Sequence, residues 1–303
     1  MKNNFLVSVL ILAYYSGEKL WSSIYSVLRQ DYRPLQLIVC DDGTKEFDTT
    51  ATERIITAQR SDVDFKVVHH TKNLGTVGNL NTALSYAKGK WIIPLAADDM
   101  FASEQIISKL IHQVSNSDAR WMIAQTRLCD QQMKPTGQIA PSKSDIALLA
   151  ELNIPAIYYR LCCDCFIPSS GTVYERKLLD ALGRFDNHFQ LVEDWPLFLK
   201  LVRMGYIPAV SDTVCVLHRD GGISKHLSGK NQRYQRDLVK VMEREVLPYL
   251  DLLDKNKQDN IRQIVRIKKA IFQYRFVCKT VSEKLLWIIT HLDIVIPKLV
   301  GKD

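Results

Sequence analysis

The sequence predicts an α/β protein with a mostly parallel central sheet covered by helices on both faces, and three observations carry that expectation. Over the first hundred residues, apolar runs of strand length alternate with helical stretches, the β-α order that calls for a parallel sheet between helices. Two of those runs end on adjacent carboxylates, Asp41-Asp42 and Asp98-Asp99, at the strand end where open α/β sheets bind ligands. The run before the second pair, residues 91–97 (WIIPLAA), holds no charge, as a strand buried on both faces requires.

Residues 6–12 (LVSVLIL) form the first strand, and the turn Ala13-Tyr14-Tyr15-Ser16-Gly17 leads into a helix over 18–30 with Leu20, Ile24, Val27 and Leu28 on one face. Residues 35–40 (LQLIVC) are the second strand, followed by a helix over 48–59 and a strand over 65–69. A Gly-containing loop at 73–78 opens a helix to about Ala87 that Gly89 stops. After the strand 91–97, the pattern predicts a helix over 103–114 and a strand over 121–126. Pro135, Pro141 and Pro155 mark 128–168 as loop-rich. Residues 169–174 (SSGTVY) precede a helix over 177–182, and Pro196 opens the helix 196–204 with Asp194 beside its start. The strand 210–217 runs into His218, and three basic helical stretches follow, 233–247, 258–279 and 283–299.

A chain of 303 residues with 47% hydrophobic and 24% charged residues reads as globular, and no apolar run reaches the roughly 18 residues of a spanning helix. Residues 5–12 are too short for a signal sequence, and seven cysteines point to free thiols in a reducing compartment, so a cytoplasmic protein is expected. Cys162-Cys163-x-Cys165 lacks the second pair that a zinc site needs and reads as buried thiols. Charge is uneven. Residues 225–303 carry 17 Lys and Arg against 9 Asp and Glu, a net +8, whereas residues 1–224 net −1.

Adjacent carboxylates repel unless a cation holds them, and a hard divalent ion carrying phosphate oxygens is the common solution. A dinucleotide fingerprint is missing, because Gly75-x-x-Gly78 lacks the tight-turn glycine, and no GxxxxGK[ST] phosphate loop is present.

Six landmarks in order resemble the inverting glycosyltransferases of family 2, with the GT-A fold, of the bacterial polysaccharide and O-antigen type. They are residues 7–14, 37–43 (strand, then DDG), 73–81, 89–99 with its DxD-like acids, 171–186, and Glu193-Asp194-Trp195. The chain departs from the family where Tyr15 replaces an asparagine and Leu80 an arginine. The resemblance implies a catalytic domain over 1–228, with a nucleotide-sugar half to about 100 and an acceptor half beyond, and a basic helical extension over 229–303.

It also implies roles. Ala13 and Tyr14 would lie against the nucleotide base, with a core tyrosine as the alternative for Tyr14. Asp42 would accept from the base, beside Asp41, which is either a neighbour in the site or a turn cap. Asn81 and Asp98 would contact the donor, Asp98 at the ribose. Asp99, with His218, would bind Mg²⁺ or Mn²⁺ on the diphosphate. Asp194 would be the general base of a single in-line displacement, Glu193 and Asp194 being otherwise capping charges at a helix start. Trp195 belongs either under the acceptor or in the core. Arg219, Gly222 and Ser224 would cradle phosphate.

The function so implied is transfer of a hexose from a nucleoside-diphosphate sugar, a UDP-sugar first, to a glycan or polyprenyl-diphosphate-linked acceptor. Two other readings are a non-catalytic sugar-nucleotide-binding scaffold and a nucleotidyltransferase. The second wants a Gly-rich loop and a basic residue where this chain has Tyr14-Tyr15-Ser16. The tail, with Trp287 among leucines and isoleucines, reads as an anionic-membrane contact on the inner face of the cell membrane, a packing element or a homodimer surface. Nucleic acid is not the expected partner, since the basic residues are not interleaved with aromatics on a groove or sheet.

Overall fold

The computed structural model describes residues 5–221 and 231–294. Its first half follows the alternation in the sequence: β1 (Val7–Ala13), α1 (Lys19–Leu28), β2 (Leu35–Asp41), α2 (Thr49–Gln59), β3 (Asp64–His69), α3 (Gly75–Tyr86) and β4 (Trp91–Ala96). These four strands lie side by side and parallel, in the order β3-β2-β1-β4. Alternation along β1 divides the core, with Leu10 facing the layer of α3 and Val7, Val9 and Ile11 facing that of α1. Gly89 lies where a Cβ would come 2.6 Å from the Ser8 backbone nitrogen, so only glycine fits there.

The second half continues through β5 (Met100–Phe101), α4 (Ile106–Ser115), β6 (Trp121–Cys129), β7 (Pro135–Ala140), α5 (Lys143–Ala150), α6 (Ile154–Cys163), β8 (Thr172–Glu175), α7 (Arg176–Ala181), α8 (Asp194–Arg203) and β9 (Ala209–Arg219). β8 pairs antiparallel with β4 and carries the sheet on to β6, β9 and β5, making nine strands with β7 beside β6. The region read as loops from its prolines is therefore a strand and two helices. Pro155 sits in the first turn of α6, where its missing N–H costs nothing, and Asn153 and Ser142 cap α6 and α5.

The tail corrects the sequence more deeply. α9 (Gln232–Val241) passes through a π-helical turn, Met242–Val246, and a 3₁₀ segment, Leu247–Leu252, into α10 (Lys255–Phe272). Val241, Met242, Val246, Leu250, Leu253, Ile261 and Val265 join the same core cluster as α3, α6 and α8. Seven such side chains at about 1.5–3 kcal/mol each amount to on the order of 10–20 kcal/mol, as much as a whole domain's stability. The boundary expected at residue 228 lies outside the described residues, and the helices after it, α9 and α10, pack into the core of the sheet domain. A second π turn, Gln273–Val277, leads to α11 (Val281–Thr290).

Candidate active site

Register brings the two acid pairs together. Ala13 pairs with Asp41 across β1 and β2, and Leu12 pairs with Ala96 across β1 and β4. The carboxyl ends of all three strands thus open on one edge, where a cavity of about 1000 Å³ lies. Ala13, Tyr14, Asp42, Asp98, Glu193, Asp194 and His218 line it. Tyr14 and Tyr15 stand exposed at its rim, edge to face with ring centres 4.7 Å apart, and Tyr15 holds a left-handed φ of 48°. An exposed ring at a pocket rim is free to stack on a planar base.

The acids divide into supports and open groups. Asp41 takes the turn-cap reading: it accepts from the Thr44 N–H at 2.7 Å and hydroxyl at 2.6 Å, and lies 2.9 Å from His69 Nδ1. Asp42 accepts from the Leu74 and Gly75 N–H groups at 2.7 and 3.0 Å, fixing the start of α3, and burial raises its pKa. Asp99 is fully buried, held by the Ser170 hydroxyl at 2.8 Å and the Arg219 N–H at 3.1 Å, with His218 Nδ1 at 3.0 Å. Asp98 faces the cavity, and burial and the charge of Asp99 raise its pKa.

A carboxylate pair beside an imidazole suits Mg²⁺ or Mn²⁺. The 3.0 Å between His218 Nδ1 and Asp99 is also the spacing of neighbouring ligands at about 2.1 Å around an octahedral ion. Among the described residues no cluster of three or more His, Cys, Asp or Glu is arranged to hold a metal, so other ligands would be phosphate oxygens and water.

Glu193 and Asp194 stand at the start of α8, on the cavity wall. Burial raises the pKa of both, and for Glu193 the charge of Asp194 adds to it. Glu193 accepts from the Ser169 hydroxyl at 2.8 Å, and Asp194 from the Trp195 N–H at 2.7 Å. The loop before them is clamped twice. Asp237 on α9 accepts from the Gln190 and Leu191 N–H groups, both at 2.7 Å, and the Gln190 carbonyl accepts from Val77 at 3.1 Å. Gly75 makes that approach possible, since at φ 81° its Cβ would come 2.6 Å from the Gln190 oxygen. Removing Asp237 strands two N–H groups at about 1–3 kcal/mol each. Asp237→Ala is thus expected to lower kcat about tenfold or more with donor Kd within about threefold, as steady-state rates and calorimetric titration will read.

Four expected site residues, Asp41, Asn81, Asp99 and Arg219, do not line the cavity. Asn81 does not line the cavity: its amide donates to the Phe185 carbonyl at 2.8 Å and to Asn187 at 2.9 Å, and its oxygen accepts from the Phe185 N–H. Arg219 is buried, donating to the carbonyls of Asp98 (3.2 Å) and Gln131, so it supports the acid turn instead of presenting itself to phosphate. Trp195 belongs to the core, its indole N–H on the Leu161 carbonyl at 2.8 Å, and also lines the cavity. Gly222 and Ser224 lie outside the described residues.

Sequence reading missed several polar lining groups, among them Lys19, Asn79, Ser169 and Ser170. Asn79 is 3% exposed and donates to the Cys40 carbonyl at 2.9 Å, which orients the amide and leaves its buried oxygen without a partner. Tyr234 and Leu238 of α9 complete one wall.

The model of the family described as "Glycosyl transferase family 2" matches residues 8–160. The chain is 26% identical over 209 residues to the UDP-Glc:alpha-D-GlcNAc-diphosphoundecaprenol beta-1,3-glucosyltransferase WfgD of Escherichia coli, covering 69% of this chain and 74% of that one. Residues 1-349 of S. aureus TarS, solved in complex with UDP-GlcNAc, superpose with a TM-score of 0.61 at 18% identity, over 95% of this chain and 80% of that one. The mannosyltransferase PcManGT of Pyrobaculum calidifontis, solved with GDP-Man and Mn²⁺, does so at 0.59 and 15% identity, over 97% and 81%. Both structures share the fold.

Proposed function

The chain belongs to glycosyl transferase family 2, and from that premise we propose that it moves a hexose from a UDP-sugar, with inversion, onto a hydroxyl of a lipid-linked glycan precursor at the inner face of the cell membrane. The observation that carries the reading is Asp194. It is a half-buried carboxylate on the cavity wall that also holds Asp98 and the exposed Tyr14. The Escherichia coli relative, whose name gives a UDP-glucose donor and a diphosphoundecaprenol-linked acceptor, supports the choice of substrates.

In this reading the base lies on Tyr14, and the hydroxyls of the donor reach Asp98 and the unpartnered oxygen of Asn79. The acceptor oxygen attacks C1 of the sugar while the bond from C1 to the phosphate oxygen breaks on the opposite face. Asp194 takes the acceptor's proton, and its raised pKa brings it closer to the hydroxyl it must deprotonate. Asp99 and His218 would hold Mg²⁺ or Mn²⁺, which supplies charge neutralisation for the departing diphosphate. Ser170 and the Arg219 backbone keep Asp99 in place for that task.

The test is a panel of UDP-, GDP- and dTDP-sugars with a short polyprenyl-diphosphate-linked acceptor, the anomeric configuration of the product being read by NMR. Turnover confined to a UDP-hexose with inversion at C1 is expected. A product that keeps the donor's configuration, or nucleotide transfer in place of sugar transfer, removes the reading.

A further inference from the structure

We propose that α11 lies flat on an anionic lipid surface, its apolar stripe in the interface and the cations around it against lipid headgroups. The inference deepens the placement at the membrane in the proposed function and rests on that reading only for its biological purpose. Val281, Leu285, Leu286, Ile289 and Leu292 are exposed by 76, 54, 63, 65 and 47%. Val281, Leu285 and Ile289 follow one another at intervals of four, which puts them on one face of α11, and Leu292 lies just past its end. Val277, 55% exposed, lies in the turn just before. Other large exposed apolar residues on the body are scattered or, like Tyr14 and Tyr15, belong to the cavity rim. A contiguous patch of this kind marks a contact surface.

The opposite face of α11 is already used. Trp287 stacks on His291 with ring centres 4.5 Å apart and meets Tyr274 of the preceding turn at 4.9 Å. Trp287, read from the sequence as part of a membrane contact or a packing element, packs the helix against the π turn before it. Thr280 and Glu283 form a capping box, so the helix start is secured within its own chain.

Charge selects the occupant. Arg262, Arg275, Lys279 and Lys284 are exposed and form no ion pair among the described residues. Glu283, the one acid of α11, is spent on the cap, and Asp293 is paired with Arg266 at 2.9 Å. A second copy docked about a two-fold axis would set like cations against one another, whereas anionic headgroups match them. At about 15 Å, α11 is half the thickness of a bilayer core, and no helix among the described residues is long and apolar enough to cross one. The apolar stripe therefore suits the interface plane.

The experiment is co-sedimentation of the full chain, without donor or acceptor, with vesicles of equal parts phosphatidylglycerol and phosphatidylcholine and with phosphatidylcholine alone. Binding to the anionic vesicles at low salt, release at high salt and no binding to phosphatidylcholine are expected. Leu285→Glu with Ile289→Glu is expected to lower partitioning at least about tenfold, and loss of each of Lys279 and Lys284 about fivefold. Thermal unfolding and UDP binding of the variants should match the parent, which separates loss of the lipid contact from loss of fold or of the donor site. Equal partitioning of parent and variants overturns the proposal. So does a chain that ignores both vesicles, or one that light scattering shows as a dimer broken by the same substitutions.

Discussion

Asp194→Asn is expected to lower kcat by about 10²–10⁴, the usual worth of a general base, while donor affinity stays within about threefold. The substitution keeps the shape and the hydrogen bond from Trp195 but removes the proton acceptor. The pH profile adds a second readout. Because burial raises the Asp194 pKa, the parent must lose a proton from a group that titrates above the ordinary carboxylate value of about 4. Activity should therefore rise with pH along a limb set above that value, and the residual activity of Asp194→Asn should lack the limb. Glu193 is raised by burial and by the charge of Asp194, whereas burial is what raises Asp194, so Glu193→Gln should leave the limb above the ordinary carboxylate value. Turnover by Asp194→Asn within threefold of the parent would take the residue out of the mechanism.

Removal of divalent metal is expected to lower turnover by on the order of 10³, since Lewis-acid assistance to a departing diphosphate is worth several kcal/mol. Added Mn²⁺ should restore the parent and fail to restore Asp99→Asn. Mn²⁺ titrated in the presence of UDP and followed by electron paramagnetic resonance gives a readout independent of activity, with binding expected for the parent and weakened for Asp99→Asn. Asp99 is buried among Ser170, His218 and Arg219, so the amide, which keeps the volume, is the better probe than alanine. Full turnover after chelation would mean that the acid turn at the end of β4 is not a metal site and that cationic or N–H groups elsewhere stabilise the leaving group.

The parallel half of the sheet and its two acid turns were legible because both signals are local. A strand buried on two faces must be continuously apolar, and a carboxylate pair at its end is visible in any reading. Asn81 and Asn79 were not distinguishable, because which face of α3 meets the cavity depends on how the helix packs on β2. Prolines misled between β6 and β8, since Pro155 starts a helix when Asn153 caps it. The clamp by Asp237 spans 47 residues and has no sequence signature. In the tail the apolar face of Ile261 and Val265 is legible, but whether it meets the core, a membrane or a second copy is not, because that depends on how α10 packs.

That buried face governs the order of events during synthesis. The hydrophobic surface of α6 and α8 is closed by Val241, Met242, Ile261 and Val265, and the wall of the cavity by Tyr234 and Leu238. A nascent chain that has emerged only as far as β9 holds every strand of the sheet but cannot cover that surface. Its final cooperative step waits for α10 to leave the ribosome, and until then it is a client for whatever shields exposed apolar surface. Catalytic competence thus arrives late, close to the moment when α11 becomes free to seek a surface of its own.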